Sequence, residues 1–299
     1  MTTSRQNKIA ESFESYRPLL FSIAYRMLGS ASDAEDMLQE AYLRYLAAPD
    51  GEIRELKAYL CTIVTHLSLD FLKAARVQRE QYIGPWLPEP VLTGEQYMDP
   101  FETAERHESI SLAFLVLLES LTPPERAVFL LHDVFDFDYH EIAQMIGKSP
   151  ANCRQLGHRA KTCITERRHR FDASRETHLR LITRFLQACQ EGDMQGVQEM
   201  LAQDVISWSD GGGKTPAALR PIIGATAVSR LWLGLARKAA ADLAVSIEDV
   251  NGSPAALLWM GEALYSVVTF DVADERITAI RHILNPEKLE YVGRQRQRK

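Results

Sequence analysis

YHEIAQMIGKSPANCRQLGHRAKTCITERRHR, residues 139–170, is the stretch whose reading decides the fold. Its first part puts Ile142, Ala143 and Ile146 on one helical face and stops at Gly147. Ser149 followed by Pro150 restarts a helix, because Ser caps free backbone N–H groups and Pro suits the first helical position. In the second helix Cys153, Leu156, Gly157, Ala160 and Ile164 fall on one side, and Arg154, Gln155, His158, Lys161 and Thr165 on the other. Two short helices around a Gly turn, the second with a polar and basic outer face, read as a helix-turn-helix with a major-groove recognition helix. Residues 148–170 carry seven Lys/Arg against one acid, Glu166, which suits phosphate contact. A plain helical hairpin with a solvated basic face would share the charge, but not the cap, turn and face together. Gly157 inside the helix costs about 1 kcal/mol relative to Ala, which predicts tight packing on the preceding helix or a close backbone approach.

The 299 residues allow two or three domains, and 46% hydrophobic with 25% charged residues is the composition of a globular protein. The net charge of −6 is unevenly spread: about −1 over 1–80, about −5 over 81–108 and about +1 over 109–175. That excludes a uniformly basic nucleic-acid binder, but not local DNA contacts beside acidic surfaces for another partner. Cys61, Cys153, Cys163 and Cys189 lack CxxC or Cys/His ligand spacing and sit in apolar helical contexts. They read as structural thiols of a reducing compartment, and no pattern asks for a metal or an organic cofactor. The first residues are polar and no run reaches the roughly twenty apolar residues of a membrane span, so a cytoplasmic location is expected.

Upstream, 9–28 has helical spacing with Phe13, Tyr16, Leu19, Leu20, Ile23, Ala24 and Met27 inside. Gly29 breaks it, and Ser32 with Asp33 is read as opening a helix over 33–46. Asp33, Asp36, Gln39, Glu40 and Leu43 share a stripe of that helix, either a solvated face or a docking surface for a basic partner. A third helix pattern covers 55–79 and ends in Lys73, Arg76 and Arg79. Cations there suit the helix dipole, and the face with Thr62, His66, Asp70, Lys73 and Arg76 could equally touch nucleic acid.

SDAEDMLQEAYLRYL, then ELKAYLCTIVTHLSLDFLKAARVQRE, then TPPERAVFLLHDVFDFDYHEIAQMIGKSPANCRQLGHRA together resemble a bacterial sigma factor of the extracytoplasmic-function type. The resemblance covers about 9–170. The first stretch is similar to the helix that docks on the clamp of the largest subunit of core RNA polymerase. The second resembles the helix that recognises and melts the −10 promoter element, and the third the domain that reads the −35 element. By this resemblance Asp33, Asp36, Gln39 and Glu40 would bind the clamp. Tyr59, Thr62, His66, Lys73 and Arg76 would handle the −10 strand, with Tyr59 as the aromatic for an unstacked base or as core. His66 stands where the family commonly has Asn. Arg154, Gln155, His158, Arg159 and Lys161 would meet the −35 duplex, Arg154 by paired bonds to a guanine.

Residues 81–108 read as an acidic, Pro- and Gly-rich linker, yet Trp86 and Leu87 among Pro85, Pro88 and Pro90 look like an anchor in a groove or a packing contact. Beyond 176 the pattern is helix, short helix over 197–201, strand over 205–208, a DGGGK loop, a helix near 227–240 and strand runs over 243–250, 255–260, 264–271 and 276–284. That is an α+β pattern with an antiparallel meander. It resembles the SnoaL-like cone fold of ketosteroid isomerases and polyketide cyclases. WLPEP (86–90), DGGGK (210–214) and NPEKL (285–289) are together similar to the sigma factors carrying a fused SnoaL-like extension. In that subgroup the extension is thought to modulate the sigma factor in cis, so Trp86, Asp210, Lys214, Asn285 and Lys288 are expected to make regulatory contacts. A phosphate loop at DGGGK is discounted, since no GxxxxGK[ST] is present. An enzyme would have to use Asp210, Trp208 or His282 as acid/base groups in the cone.

The expected architecture is therefore multidomain: two all-α domains (1–80, and 109–172 with the helix-turn-helix), joined by the linker 81–108 and followed by an α+β SnoaL-like cone (177–299). The expected function is promoter-directed transcription initiation with core RNA polymerase and promoter DNA as partners, without an enzymatic activity or a membrane. A ligand-responsive helix-turn-helix regulator, or an isomerase or cyclase with a DNA-binding arm, are the competing readings.

Overall fold

Glycines and small polar residues punctuate the helical half as their chemistry requires. Helix α1 (Thr2–Leu28) stops where Gly29 takes φ 68° and bonds the Tyr25 carbonyl at 2.7 Å. Ser30 accepts the Asp33 N–H at 3.1 Å and so caps α2 (Ala31–Ala47), earlier than the Ser32–Asp33 start expected from composition. Helix α3 spans Leu56–Glu80. Phe13, Leu20 and Ile23 of α1, Leu38 of α2 and Leu60 and Val64 of α3 are all buried, each contributing about 1.5–3 kcal/mol by leaving water. The computed structural model describes residues 2–49, 53–93, 110–167, 174–239 and 242–297, with side chains at 2–6, 76–78 and 80 left out.

Helices α4 (Leu112–Leu118) and α5 (Pro123–Phe129) follow, and α5 widens over Leu130–Val134, where the Phe135 N–H reaches back five residues to Leu130. Asp138 and Glu141 form a capping box on α6 (Tyr139–Ile146). Gly147 closes α6 at φ 64°, and Ser149 accepts the Asn152 N–H at 3.2 Å to start α7 (Pro150–Arg167). The predicted turn chemistry is thus the observed one. Met145 is buried beside Ile142 and Ala143, an addition to the expected face.

Described residues fall into two compact units: 2–80 with 110 and 114–167, and 81–93 with 111–113 and 174–297. Inside the first, a buried ionic knot joins the C-terminal ends of α1, α3 and α4 to Arg126 of α5. Arg126, 3% exposed, donates to the Met27 carbonyl at 2.6 Å and to Glu119 at 2.8 Å. Arg79 donates to the Leu28 carbonyl at 2.9 Å and pairs with the same carboxylate. Two guanidiniums thereby satisfy carbonyls at the end of α1 that no helical N–H can reach.

In the second unit, α8 (Arg175–Glu191) and α9 (Met194–Met200) precede β1 (Leu201–Asp210), β2 (Ile222–Ile223), α10 (Ala225–Lys238), β3 (Leu243–Val250), β4 (Ser253–Met260), β5 (Ala263–Ala273), β6 (Arg276–Ile283) and α11 (Pro286–Gln297). The sheet order is β2-β1-β6-β5-β4-β3, with β3 to β6 an antiparallel meander and β1 parallel to β6. Asn251 and Gly252 turn β3 into β4 at φ 51° and 76°, the left-handed pair a tight hairpin needs. One sheet face and helices α8, α9 and α10 share a core in which Phe185 lies edge-on to Trp232 and Phe270 at 5.8 and 5.6 Å. This is the α+β arrangement that the cone resemblance implies. Helix α11 was not anticipated; Asn285 accepts the Glu287 N–H at 3.2 Å and Pro286 takes the first position, so NPEKL is a helix start. Among the described residues no helix is long and apolar enough to cross a membrane.

Candidate functional site

Three surfaces and one buried cluster gather the residues singled out from sequence. On α7 the inward set Cys153, Leu156, Gly157, Ala160 and Ile164 is buried or nearly so, and Arg154, Gln155, His158, Arg159 and Lys161 are exposed. Arg159 pairs with Glu125 at 3.0 Å and Lys161 with Asp133 at 3.1 Å, so both are held by the protein itself. Arg154 lies over the Tyr139 ring at 5.8 Å, and that ring packs on His132 at 4.1 Å. A methyl group on Gly157 would come within 2.9 Å of the Tyr139 hydroxyl and 3.4 Å of Val128, which accounts for glycine in mid-helix. Gly157→Ala is therefore expected to shift Tyr139 and the Arg154 seated on it. If this face meets the −35 duplex as the sequence resemblance implies, duplex binding should weaken several-fold while the melting temperature moves little, because the gain of about 1 kcal/mol in helix propensity offsets the clash; electrophoretic mobility shifts alongside thermal melts check this.

On α2, Asp36, Gln39 and Leu43 are exposed, Leu43 by 59%, while Asp33 is half-buried. Glu40 pairs with Arg44 at 2.9 Å. Asp33, Asp36, Glu40 and Leu43 run i, i+3, i+7 and i+10, with Gln39 at i+6, so the acidic stripe ends in an apolar tip. On α3, His66 is exposed, Thr62 bonds the Ala58 carbonyl at 2.7 Å, and Lys73 pairs with Asp70 at 2.8 Å, which holds that carboxyl below its ordinary range. Tyr59 is half-buried with its ring 6.5 Å from Tyr45, between the core and base-stacking readings. The Arg76 side chain lies outside the described residues.

The cluster is in the second unit. Asp210, fully buried at the end of β1, accepts the Tyr82 hydroxyl at 2.6 Å, the Leu87 N–H at 2.8 Å and the Lys288 ammonium at 2.6 Å. Lys288 also donates to the Leu87 carbonyl, and it lies 4.3 Å from the Trp86 ring and 4.9 Å from the Tyr82 ring. Asn285 donates to the Tyr82 oxygen at 3.0 Å. Burial, and after it the bond to Asp210, raise the Tyr82 phenol above its usual range. The glycines of DGGGK are explained by approach: a methyl on Gly212 would sit 2.4 Å from the Asn285 amide and 2.9 Å from the Tyr82 hydroxyl. So WLPEP, DGGGK and NPEKL, far apart in sequence, meet around one carboxylate. Lys214 stands apart, exposed and paired with Glu287. Lys214→Ala should change stability by about 0–1 kcal/mol, as exposed pairs do, and thermal melts check it.

Sequence reasoning missed Tyr82, Asn251 and Gln295. The Asn-Gly hairpin signal could have exposed Asn251; nothing local marks the other two. Trp86 is only half-buried, while Leu87, Val91 and Leu92 are 2–3% exposed, so the apolar anchors lie after the tryptophan. The candidate acid/base groups do not converge. Asp210 and Trp208 alternate with Ser209, which is in register with His282, so they occupy the sheet face opposite to His282. Trp208 faces Arg281 at 5.3 Å, and Arg281 is paired with Asp271 at 2.6 Å.

Comparison with known proteins agrees with this order of parts. Sigma-70 region 2 matches residues 12–77 and Sigma-70 region 4 matches residues 111–164. The chain is similar to the ECF RNA polymerase sigma factor SigJ of Mycobacterium tuberculosis, 36% identical over 286 residues and covering 92% of this chain and 91% of SigJ. It is also similar to the probable ECF sigma factor SigI of that species, 32% identical over 290 residues, with 96% and 97% covered. The crystal structure of M. tuberculosis SigJ superposes with a TM-score of 0.74 at 33% identity, over 94% of this chain and 98% of that one. An exposed acidic stripe on α2, a basic helix-turn-helix and similarity to such proteins over most of the chain lead to one assignment: the chain belongs to the extracytoplasmic-function sigma factors, which join core RNA polymerase and direct it to promoters.

Proposed function

We propose that within this family role the C-terminal extension acts on the sigma factor in cis, by holding the linker between its two promoter-reading segments. The observation that carries the reading is the Asp210 cluster, in which one buried carboxylate and Lys288 grip the backbone and rings of residues 82–87. The proposed division of labour has 1–80 engage the polymerase clamp through Asp33, Asp36, Gln39 and Glu40 and the −10 strand through Tyr59, Thr62, His66, Lys73 and Arg76. Residues 109–172 read the −35 duplex through Arg154, Gln155, His158, Arg159 and Lys161. Residues 177–299 regulate, and the protein works in the cytoplasm, where polymerase and DNA are. The extension is a binding device rather than a catalyst, a reading supported by the split of Asp210 and Trp208 from His282 and by a cone interior packed with Phe185, Trp232 and Phe270.

In vitro transcription with core RNA polymerase tests the whole. Asp36→Ala with Glu40→Ala should abolish polymerase pull-down; retained pull-down would sink the clamp assignment. Arg154→Ala should cost about 1–3 kcal/mol of −35 binding and relax selectivity at one base pair, read by mobility shifts against single-base variants. Asn285→Ala or Lys288→Ala should alter promoter output with polymerase pull-down intact. Unchanged output in both would remove the regulatory reading.

A further inference from the structure

Residues 87–92 are all buried in their own unit, an unusual state for a linker. What holds them reads backbone more than side chain. Asn251 accepts the Val91 N–H on its side-chain oxygen at 3.1 Å, and its own N–H donates to the Val91 carbonyl at 2.9 Å. The Gln295 amide does the same for Leu92, accepting its N–H at 2.8 Å and donating to its carbonyl at 3.2 Å. The Thr93 N–H bonds the Asp249 carbonyl at 2.9 Å, and Leu92 makes a single antiparallel bridge to Val250. At the other end Asp210 and Lys288 take the N–H and carbonyl of Leu87. Pro88 and Pro90 between them present no N–H that would need a partner. Leu87, Val91 and Leu92 supply the apolar anchors.

This is how domains recognise extended peptides: strand addition and amide clamps for the backbone, with pockets for a few side chains. The walls come from the end of β1, the β3–β4 turn and α11, all outside the linker. We propose that the extension is a peptide-binding module whose groove also accepts the linker segment of a second copy of this chain, with Asn251 and Gln295 as its backbone readers. The inference rests on the latch reading above and deepens it: the resident linker wins because it is tethered. A short tether gives an effective concentration on the order of millimolar, so a free segment competes only when the resident one is displaced.

The test uses the full chain and a fluorescent synthetic peptide of residues 81–93. In a chain carrying Leu87→Asp and Val91→Asp the resident segment should leave the groove, and the peptide should bind saturably by anisotropy. Wild-type chain should bind it at least tenfold more weakly. Adding Asn251→Ala and Gln295→Ala to the displaced chain should lower peptide affinity tenfold or more. As a second arm requiring no substitution, millimolar unlabelled peptide should raise deuterium uptake across 87–93 of the wild-type chain. No binding to a displaced chain that keeps its helical circular dichroism, or unchanged uptake at the highest peptide concentration, overturns the proposal. If either occurs while Lys288→Ala still alters promoter output, the cis latch stands and only the trans-acting groove falls.

Discussion

Asp210→Ala is expected to free the linker and to cost the C-terminal unit about 3–5 kcal/mol, the range for removing one partner of a buried ion pair. The reason is the inequality of what stays behind. Lys288, whose side chain is 12% exposed, would keep a charge facing the Leu87 carbonyl and two aromatic rings, without its counter-ion. The Leu87 N–H and the Tyr82 hydroxyl would lose their acceptor as well. Each buried donor left unpaired adds about 1–3 kcal/mol, although the terms overlap and do not sum. Limited proteolysis reads the outcome: cleavage within 81–93 should appear in the variant under conditions where the wild-type linker survives. Promoter output should change in the same variant. A linker as resistant as the wild type would show that the apolar anchors alone hold it.

The second large effect is with pH. His282 is buried beside Trp232, at 5.2 Å between rings, and among the described residues neither ring nitrogen has a hydrogen-bond partner. Burial pushes its pKa down from 6.5 to about 4. The folded chain therefore resists a proton that the unfolded chain accepts. Stability from the neutral ring is fully present above about pH 6.5 and falls as the pH drops, because the unfolded state then binds more protons. It levels off below about pH 4, where both states are protonated. The loss across that window is on the order of 3 kcal/mol. His178, also lowered by burial despite its 2.7 Å contact with the Phe270 carbonyl, acts in the same direction. Thermal melts from pH 7.5 to 4.5 should show the second unit weakening steeply, and His282→Leu should flatten most of that slope. An equal slope in the variant would assign the acid sensitivity elsewhere.

The parts legible in the sequence are those written in short-range chemistry. Gly147, Ser149 and Pro150 specify a turn within four residues, and the burial of Cys153, Leu156, Ala160 and Ile164 follows from helical period alone. The exposure of Asp36 and Gln39 on α2 follows the same way. The meander was visible as four successive strand-like runs, which pair in that order. Even the glycine at 157 announced a close approach, though not that Tyr139 was its neighbour. Where local signals competed, the boundary moved: Ser30, not Ser32, caps α2, because Gly29 had already turned the chain.

The Asp210 cluster is of another kind. Asp210 bonds residues 123 and 128 positions earlier and one 78 positions later, separations over which no periodicity carries information. The motifs WLPEP, DGGGK and NPEKL could be spotted by resemblance, but their meeting around one carboxylate could not. Nor could sequence show that Lys214 stays at the surface while Lys288 goes inside, since both are lysines in polar motifs. Sequence by itself determined most of the helices, the Gly147–Pro150 turn and the basic and acidic faces, because these depend on neighbours three or four residues apart. Tertiary structure alone decided that residues 87–92 are buried ligands of the extension rather than an open connection. Burial is settled by which distant backbone groups arrive to replace water, and here those groups belong to Asp210, Asn251, Lys288 and Gln295.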